Sequence, residues 1–332
     1  MRKLLVWGSV IVLMLTFMVG CEGNSQTVGE QSTADESVKL GIIQVAEHPA
    51  LDAARHGFLE TMAANGYEEG ENLIVDYGNA QGDQTALQTI AKKLVTGGCD
   101  MILAIATDSA QAVAAETTEI PILFTAVTDP VTAKLVQSNE KPGTNATGTN
   151  DMNPVKDQIE LLQRLAPQGK NIGVVYNAGE VNSVVQVDMV KQAATEAGLE
   201  VVEATVSNTS EVMQTAQSLI GRVDGIYIPT DNTVSSSVES VIKIAEGNAL
   251  PVVVGEVGMV ERGALATIGI DYNRLGKQTG EMAIRILKGE KPQDMAVEEQ
   301  KDMELVLNMK AAEMMDVTIP EDLKKQAATI IE

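Results

Sequence analysis

The residues best suited to chemistry in this chain stand where short apolar runs end. Thr107 and Ser109 follow the run 101–106 and open a helical segment, so two hydroxyls lie beside free backbone N–H groups at the positive end of a helix dipole. That is a favourable seat for a carboxylate, although either hydroxyl also suits a plain helix cap. Thr125 lies at the end of the run 122–126, and the Asp129-Pro130 pair that follows has turn chemistry. Asn177 closes the run 171–176, and Asn182 introduces the helical segment 183–197. Asp231 and Asn232 follow the run 225–229, and Glu256 follows 251–255. Asp231 and Glu256 are the best candidates for gripping an ammonium group, with helix capping or turn formation as the alternative for each. Gln44 and Glu47, after the first run, are further candidate contacts.

Other chemistries lack their parts. The chain has two histidines, His48 and His56, and no third ligand at a spacing that suits a metal. A Ser-His-Asp triad is equally hard to assemble, and no general base, nucleophile or cofactor motif stands out, so a binding protein rather than an enzyme is expected. The net charge of −22 disfavours nucleic acid and anionic lipid as main partners. Of the two cysteines, Cys99 precedes an apolar run and reads as a buried structural thiol.

The elements that must position these residues alternate. Apolar strand-like runs at 38–45, 72–77, 101–106 and 122–126 are separated by helical spacing at 48–65, 84–96 and 109–117. A Gly, Thr and Asn-rich stretch, 143–153, then reads as a crossing between lobes. The cycle restarts with helices at 155–165, 183–197, 210–220, 234–246 and 272–288, and strands at 171–176, 200–206, 225–229, 251–255, 266–270 and 303–307. The expected fold class is α/β, two doubly wound parallel-sheet lobes with a cleft between them. One lobe then offers hydroxyls and a helix end, the other acids and amides. A zwitterion bridging them would favour a closed state.

The N-terminus has a different character. Arg2 and Lys3 precede an almost unbroken apolar run, 4–19, and then Gly20 and Cys21, the layout of a secretory signal. The Val19-Gly20-Cys21 ending resembles a bacterial lipobox, with Met18 where leucine is usual, and makes Cys21 the expected lipid-attachment residue. Residues 22–38 are polar and nearly devoid of apolar side chains, as a flexible leash would be.

Several stretches together resemble the ABC-transporter substrate-binding lipoproteins, the family that includes the tryptophan/tyrosine-binding TrpX proteins. They are GIIQVAEHPALDAARHGF (41–58), TAVTDPV (125–131), GTND (148–151), GVVYNAGEVNS (173–183), YIPTDN (227–232) and IGIDYNRLGKQTGEMAIRIL (268–287). The resemblance implies a type I periplasmic-binding-protein fold with crossings near 148–151, near 270–272 and after Pro292. The expected division is a signal peptide at 1–20, a linker at 21–37, an N-terminal lobe of 38–148 plus 272–292, and a C-terminal lobe of 149–271 plus 293–332. The resemblance also implies a permease and an ATPase as partners, with the lipid-anchored monomer working outside the bacterial cell membrane. Asp151, at the end of GTND, joins the candidate ligand contacts on this basis. An aromatic amino acid of the tryptophan or tyrosine type is the expected solute, with a sugar, a nucleoside or a sensory role as alternatives. Phe124, Tyr176, Tyr227 and Tyr272 are the aromatic residues near strand ends, one or two of which should reach the cleft.

Overall fold

Seven-residue and shorter runs of Val, Ile, Leu and Ala are buried on both faces only if helices cover both sides of a parallel sheet. The computed structural model, which describes residues 37–332, contains two such sheets. The expected signal run, Cys21 and the polar leash lie outside the described residues.

The first half contains β1 (Val38–Gln44), α1 (Pro49–Ala64), β2 (Leu73–Asn79), α2 (Gln84–Thr96), β3 (Met101–Ile105), α3 (Thr107–Glu116), β4 (Ile122–Val127) and β5 (Ala146–Asn150). The second contains α4 (Val155–Leu165), β6 (Asn171–Asn177), α5 (Val181–Ala197), β7 (Glu200–Val206), α6 (Val212–Gln217) and β8 (Gly225–Ile228). It continues through α7 (Asn232–Ser235), α8 (Val238–Glu246), β9 (Val252–Val254), α9 (Val257–Glu261) and β10 (Ala266–Gly269). The chain then runs through α10 (Tyr272–Leu287), β11 (Glu298–Glu299), β12 (Glu304–Asn308), α11 (Met309–Met314), α12 (Glu321–Gln326) and β13 (Thr329–Ile331).

The sheets share a plan. Their orders are β11-β5-β4-β3-β1-β2 and β13-β12-β10-β9-β8-β6-β7, and all pairs are parallel except β10 with β12. In each, the first strand sits between the second and the third, a switch point outside whose carboxyl end ligands bind. Each sheet has its own apolar core, and α10 belongs to that of the first sheet.

Residues 146–150, expected within a crossing, form a fully buried strand instead. β-branched Thr147 and Thr149 suit an extended chain, and Gly148 is required by proximity. A Cβ there would lie 1.9 Å from the Phe124 carbonyl oxygen of β4. The first sheet therefore runs past the expected lobe boundary to Asn150. It also takes in β11, whose Glu298 and Glu299 pair with Thr149 and Asn150, whereas the sequence places 293–332 in the other lobe. Two edge residues gave no periodicity from which to read this. The chain passes between the sheets at 151–154, 270–271 and 300–303.

α1 and α10 approach unusually closely. A Cβ on Gly276 would sit 1.9 Å from the Ala54 carbonyl oxygen, and one on Gly57 would sit 2.1 Å from that of Asn273. The glycines let the two backbones touch. This matters because His48 immediately precedes α1 and Tyr272 opens α10.

Candidate ligand-binding site

The carboxyl ends of the two sheets face each other across a cleft. Its outer part encloses about 1060 Å³ and is lined from one side by Glu47, Gln84 and Asp108, and from the other by Asn177, Glu180 and Thr233. Farther in is a narrow cavity lined by His48, Leu51, Ala126, Thr128, Asp151, Asn182, Thr230, Asn232, Ser235, Glu256 and Tyr272. It leaves about 10 Å³ for the centre of a water molecule, room for one water. Hydrogen bonds cross between the two halves here, His48 Nε2 with Asn232 Oδ1 at 3.3 Å and Gln186 Nε2 to Thr128 Oγ1 at 3.4 Å.

Of the residues singled out from the sequence, Asp151, Asn182, Asn232 and Glu256 meet in this inner cavity. Asp151 accepts from Thr128 Oγ1 at 3.0 Å and from Tyr272 Oη at 2.7 Å, tying the first crossing to the second. Burial pushes its carboxyl up, and those two donors pull it back. Asn182 Nδ2 donates to the Thr230 carbonyl at 2.9 Å, while its buried Oδ1 has no partner. Glu256 caps α9 by accepting from Gly258 N at 2.5 Å. Burial raises it to about 7 against the pull of the Gly258 and Met259 N–H groups.

Thr107 and Ser109 open α3 as expected, and both hydroxyls are buried without a hydrogen-bond partner. The preceding Ala106 has φ +77°, and Ala126, after Thr125, has φ +57°. Strained backbone at two adjacent strand ends is a mark of functional sites. Gln44 Nε2 donates to the Ala46 carbonyl at 2.7 Å and to Asp52 at 3.0 Å, fixing the turn into α1, and its Oε1 is unpartnered.

Three expected contacts have other work. Thr125 accepts from Thr149 Oγ1 at 3.1 Å, in a hydroxyl chain that continues to Thr279 of α10. Strand alternation turns it toward the helix and gives its neighbour Ala126 to the cavity. Asp231 is wholly buried and accepts from Asn177 N and Ser183 Oγ, both at 2.6 Å, and from Val234 N at 2.7 Å. Its carboxylate caps α7 and pins the end of β6, and it does not line the inner cavity. Burial, reinforced by Glu180, pushes its carboxyl up, and the donors on Ser183, Asn177 and Val234 pull it back. Asn177 lines the outer cleft, with its amide engaged by Thr233 and Gly179.

Glu180 and His48 are the principal residues that the sequence did not disclose as site groups. Glu180 accepts from the backbone and side chains of Asn232 and Thr233 at 2.7–2.9 Å. It faces Asp108 across the outer cleft, and burial together with this like charge raises Asp108 to about 6. Of the four aromatic residues near strand ends, Tyr272 lines the cavity. Phe124 and Tyr227 are fully buried core, and Tyr176 donates to Glu203 on β7 at 2.6 Å. Among the described residues no group of three or more His, Cys, Asp or Glu side chains is arranged to hold a metal.

Two doubly wound sheets with facing carboxyl ends and unpartnered polar groups between them define a cleft-type binding protein. A family model for ABC transporter substrate binding proteins matches residues 39–331, and the chain belongs to this extracytoplasmic family. It is 42% identical over 310 residues to a tyrosine-binding protein of Clostridioides difficile (strain R20291), covering 92% of this chain and 90% of that one. A solved ABC domain from Streptococcus pneumonia in complex with L-Trp is 38% identical, with a TM-score of 0.86 and coverage of 89% of this chain and all (100%) of that one. A ligand-free, open substrate-binding protein with adhesive properties from Clostridium difficile is 46% identical but has a TM-score of 0.67, covering 89% and 99% of the two chains.

Proposed function

We propose that this ABC transporter substrate-binding protein captures an amino acid of the tyrosine or tryptophan type in the cleft between the sheet ends, its ammonium at the narrow inner cavity and its ring toward the wider outer part, and closes around it. The observation that carries this reading is a buried polar atom without a partner in the inner-cavity wall, Asn182 Oδ1, together with the unpartnered Thr107 and Ser109 hydroxyls buried at the start of α3. Such groups are costly to bury unpaired, so a ligand that supplies both donors and acceptors relieves them. The ammonium would meet Asp151, Glu256 and Asn182, and the carboxylate the hydroxyls and N–H groups that open α3. The names of the Clostridioides relative and the L-Trp complex support the ligand class. The better superposition on the L-Trp complex than on the more similar open form supports reading the described form as closed. Two lobes hinged at 151–154, 270–271 and 300–303 would open to admit solute.

We read the protein as a carrier without turnover, held to the bacterial membrane through lipid on Cys21 and delivering solute to a permease and ATPase. Calorimetry with the twenty amino acids tests the ligand class. Binding of tyrosine or tryptophan with a raised Tm supports it, and binding of none of them overturns it.

A further inference from the structure

His48 has the burial of a core residue but not the bonding of one. It is 6% exposed, lines the inner cavity, and precedes α1 without capping it through its side chain. Its contact is Asn232, and the orientation of that amide is settled by chemistry. Asn232 Nδ2 lies 2.7 Å from Glu180 Oε2, and a carboxylate that also accepts from the Asn232 and Thr233 backbone must receive a donor there. The amide nitrogen therefore faces Glu180, and the amide oxygen faces His48 Nε2 at 3.3 Å. An oxygen acceptor opposite Nε2 requires Nε2 to carry the proton. In a neutral imidazole this leaves Nδ1 as a bare lone pair, and Nδ1 is buried with no partner.

We infer that His48 is a specificity-determining residue, locked by Glu180 and Asn232 in the Nε2–H tautomer so that Nδ1 accepts a hydrogen bond from the ligand's ammonium group. The surroundings agree. The cavity wall carries Asp151, Glu256 and the unpartnered Asn182 Oδ1, all acceptors, and neither lysine nor arginine. Burial, aided by the charge of Arg262 behind the wall, pulls the imidazole down to about 4, against the opposing influence of Asn232, Glu180 and Asp52, so it stays neutral at physiological pH. A neutral lone pair welcomes an N–H donor and rejects a carboxylate. His48 would thus help set the direction in which an amino acid enters, and would discriminate against carboxylates that lack the amine. The ligand half of this inference rests on the amino-acid reading above, and the tautomer on the His48–Asn232 contact of the closed form.

With two histidines in the chain, imidazole 15N NMR is readily assigned, the exposed His56 being identified by His56→Gln. At pH 7, in the closed form held by saturating tyrosine or tryptophan, His48 is expected as the Nε2–H tautomer with no proton on Nδ1. Saturation with tyrosine or tryptophan, verified by calorimetry, should move the Nδ1 resonance toward the hydrogen-bonded range. An Nδ1–H tautomer, a charged ring at pH 7, or an Nδ1 signal unmoved at saturation overturns the inference. Binding of no amino acid refutes the function and the ligand half with it, whereas binding without this tautomer overturns the inference alone and leaves the function standing.

Substitutions separate the two ring nitrogens. His48→Gln can keep the contact with Asn232 but lacks an acceptor at the Nδ1 position, and His48→Asn can keep that acceptor but loses Asn232. For His48→Gln, the preference for the amino acid over its desamino analogue should fall by about ten- to a hundredfold, the worth of a hydrogen bond to a charged group. It should stay within about threefold for His48→Asn. Equal losses in both variants would assign His48 a structural role and overturn the inference.

Discussion

Substituting Gly276 by alanine tests whether the close approach of α1 and α10 positions the site. The added Cβ would lie 1.9 Å from the Ala54 carbonyl oxygen, where ordinary contact begins at 3.4 Å, so the helices must separate by 3.4 − 1.9 = 1.5 Å. Alanine in place of glycine within a helix gains about 1 kcal/mol of propensity. Overpacking against backbone costs about 1–3 kcal/mol, at the upper end here because a carbonyl cannot change rotamer. A 1.5 Å shift of α10 also strains the 2.7 Å bond from Tyr272 to Asp151, and losing a buried partner of a carboxylate costs about 1–3 kcal/mol more. The net expectation is a loss of about 3–5 kcal/mol. Urea unfolding should show a lower midpoint at unchanged m, and calorimetry a weakened affinity because Tyr272 moves with the helix. A variant as stable as the parent, with unaltered affinity, would refute the reasoning: the helices would then separate freely and the site would not depend on their contact.

Asp231→Ala should cost about 3 kcal/mol of fold stability, since it strips the cap from α7 and orphans donors on Asn177 and Ser183. A full loss of ligand affinity with an unchanged urea midpoint would return Asp231 to the role of ligand grip. Glu256 has a folded pKa raised to about 7 from 4.5, so the folded state holds a proton that the unfolded chain releases between those values, and stability falls as pH rises through that window. The shift corresponds to about 3 kcal/mol. Glu256→Gln should therefore gain stability relative to the parent between pH 5 and pH 7.5, and parallel pH profiles of the two urea midpoints would contradict the assignment. Cys21→Ser should release the protein from the membrane fraction of a bacterial host into the medium or periplasm, whereas retention at the membrane would rule out lipid on Cys21 as the anchor.

Legibility differed from element to element. β3 and β4 are mainly apolar and buried throughout, β1 is buried from Leu40 to Gln44, and α2 and α4 carry apolar spacing that leaves little alternative. β5 was opaque because its sequence, ATGTN, has the composition of a loop. Its burial comes from β4 on one side and α10 above, neither of which is a local property. The site was legible as a region and not as a set of contacts. Strand ends indicate where a ligand sits, but a carboxylate at a strand end either faces the cleft or caps a helix. Asp231 and Asp151 illustrate the choice. Asp231 has three donors from its own lobe, whereas Asp151 stands at the crossing beside the cavity.

By itself, the sequence determined the fold class, the alternation that yields two similar sheets, and the family to which the chain belongs. Those follow from hydrophobic period and residue order, which are written along the chain. Which polar atoms are left unpaired in the cleft was decided by the tertiary structure alone. Glu180 and His48 are 132 residues apart and meet through Asn232, and only the closure of one half on the other brings them together. Hydrogen-bond satisfaction depends on every neighbour within 3.5 Å, whatever its distance in sequence.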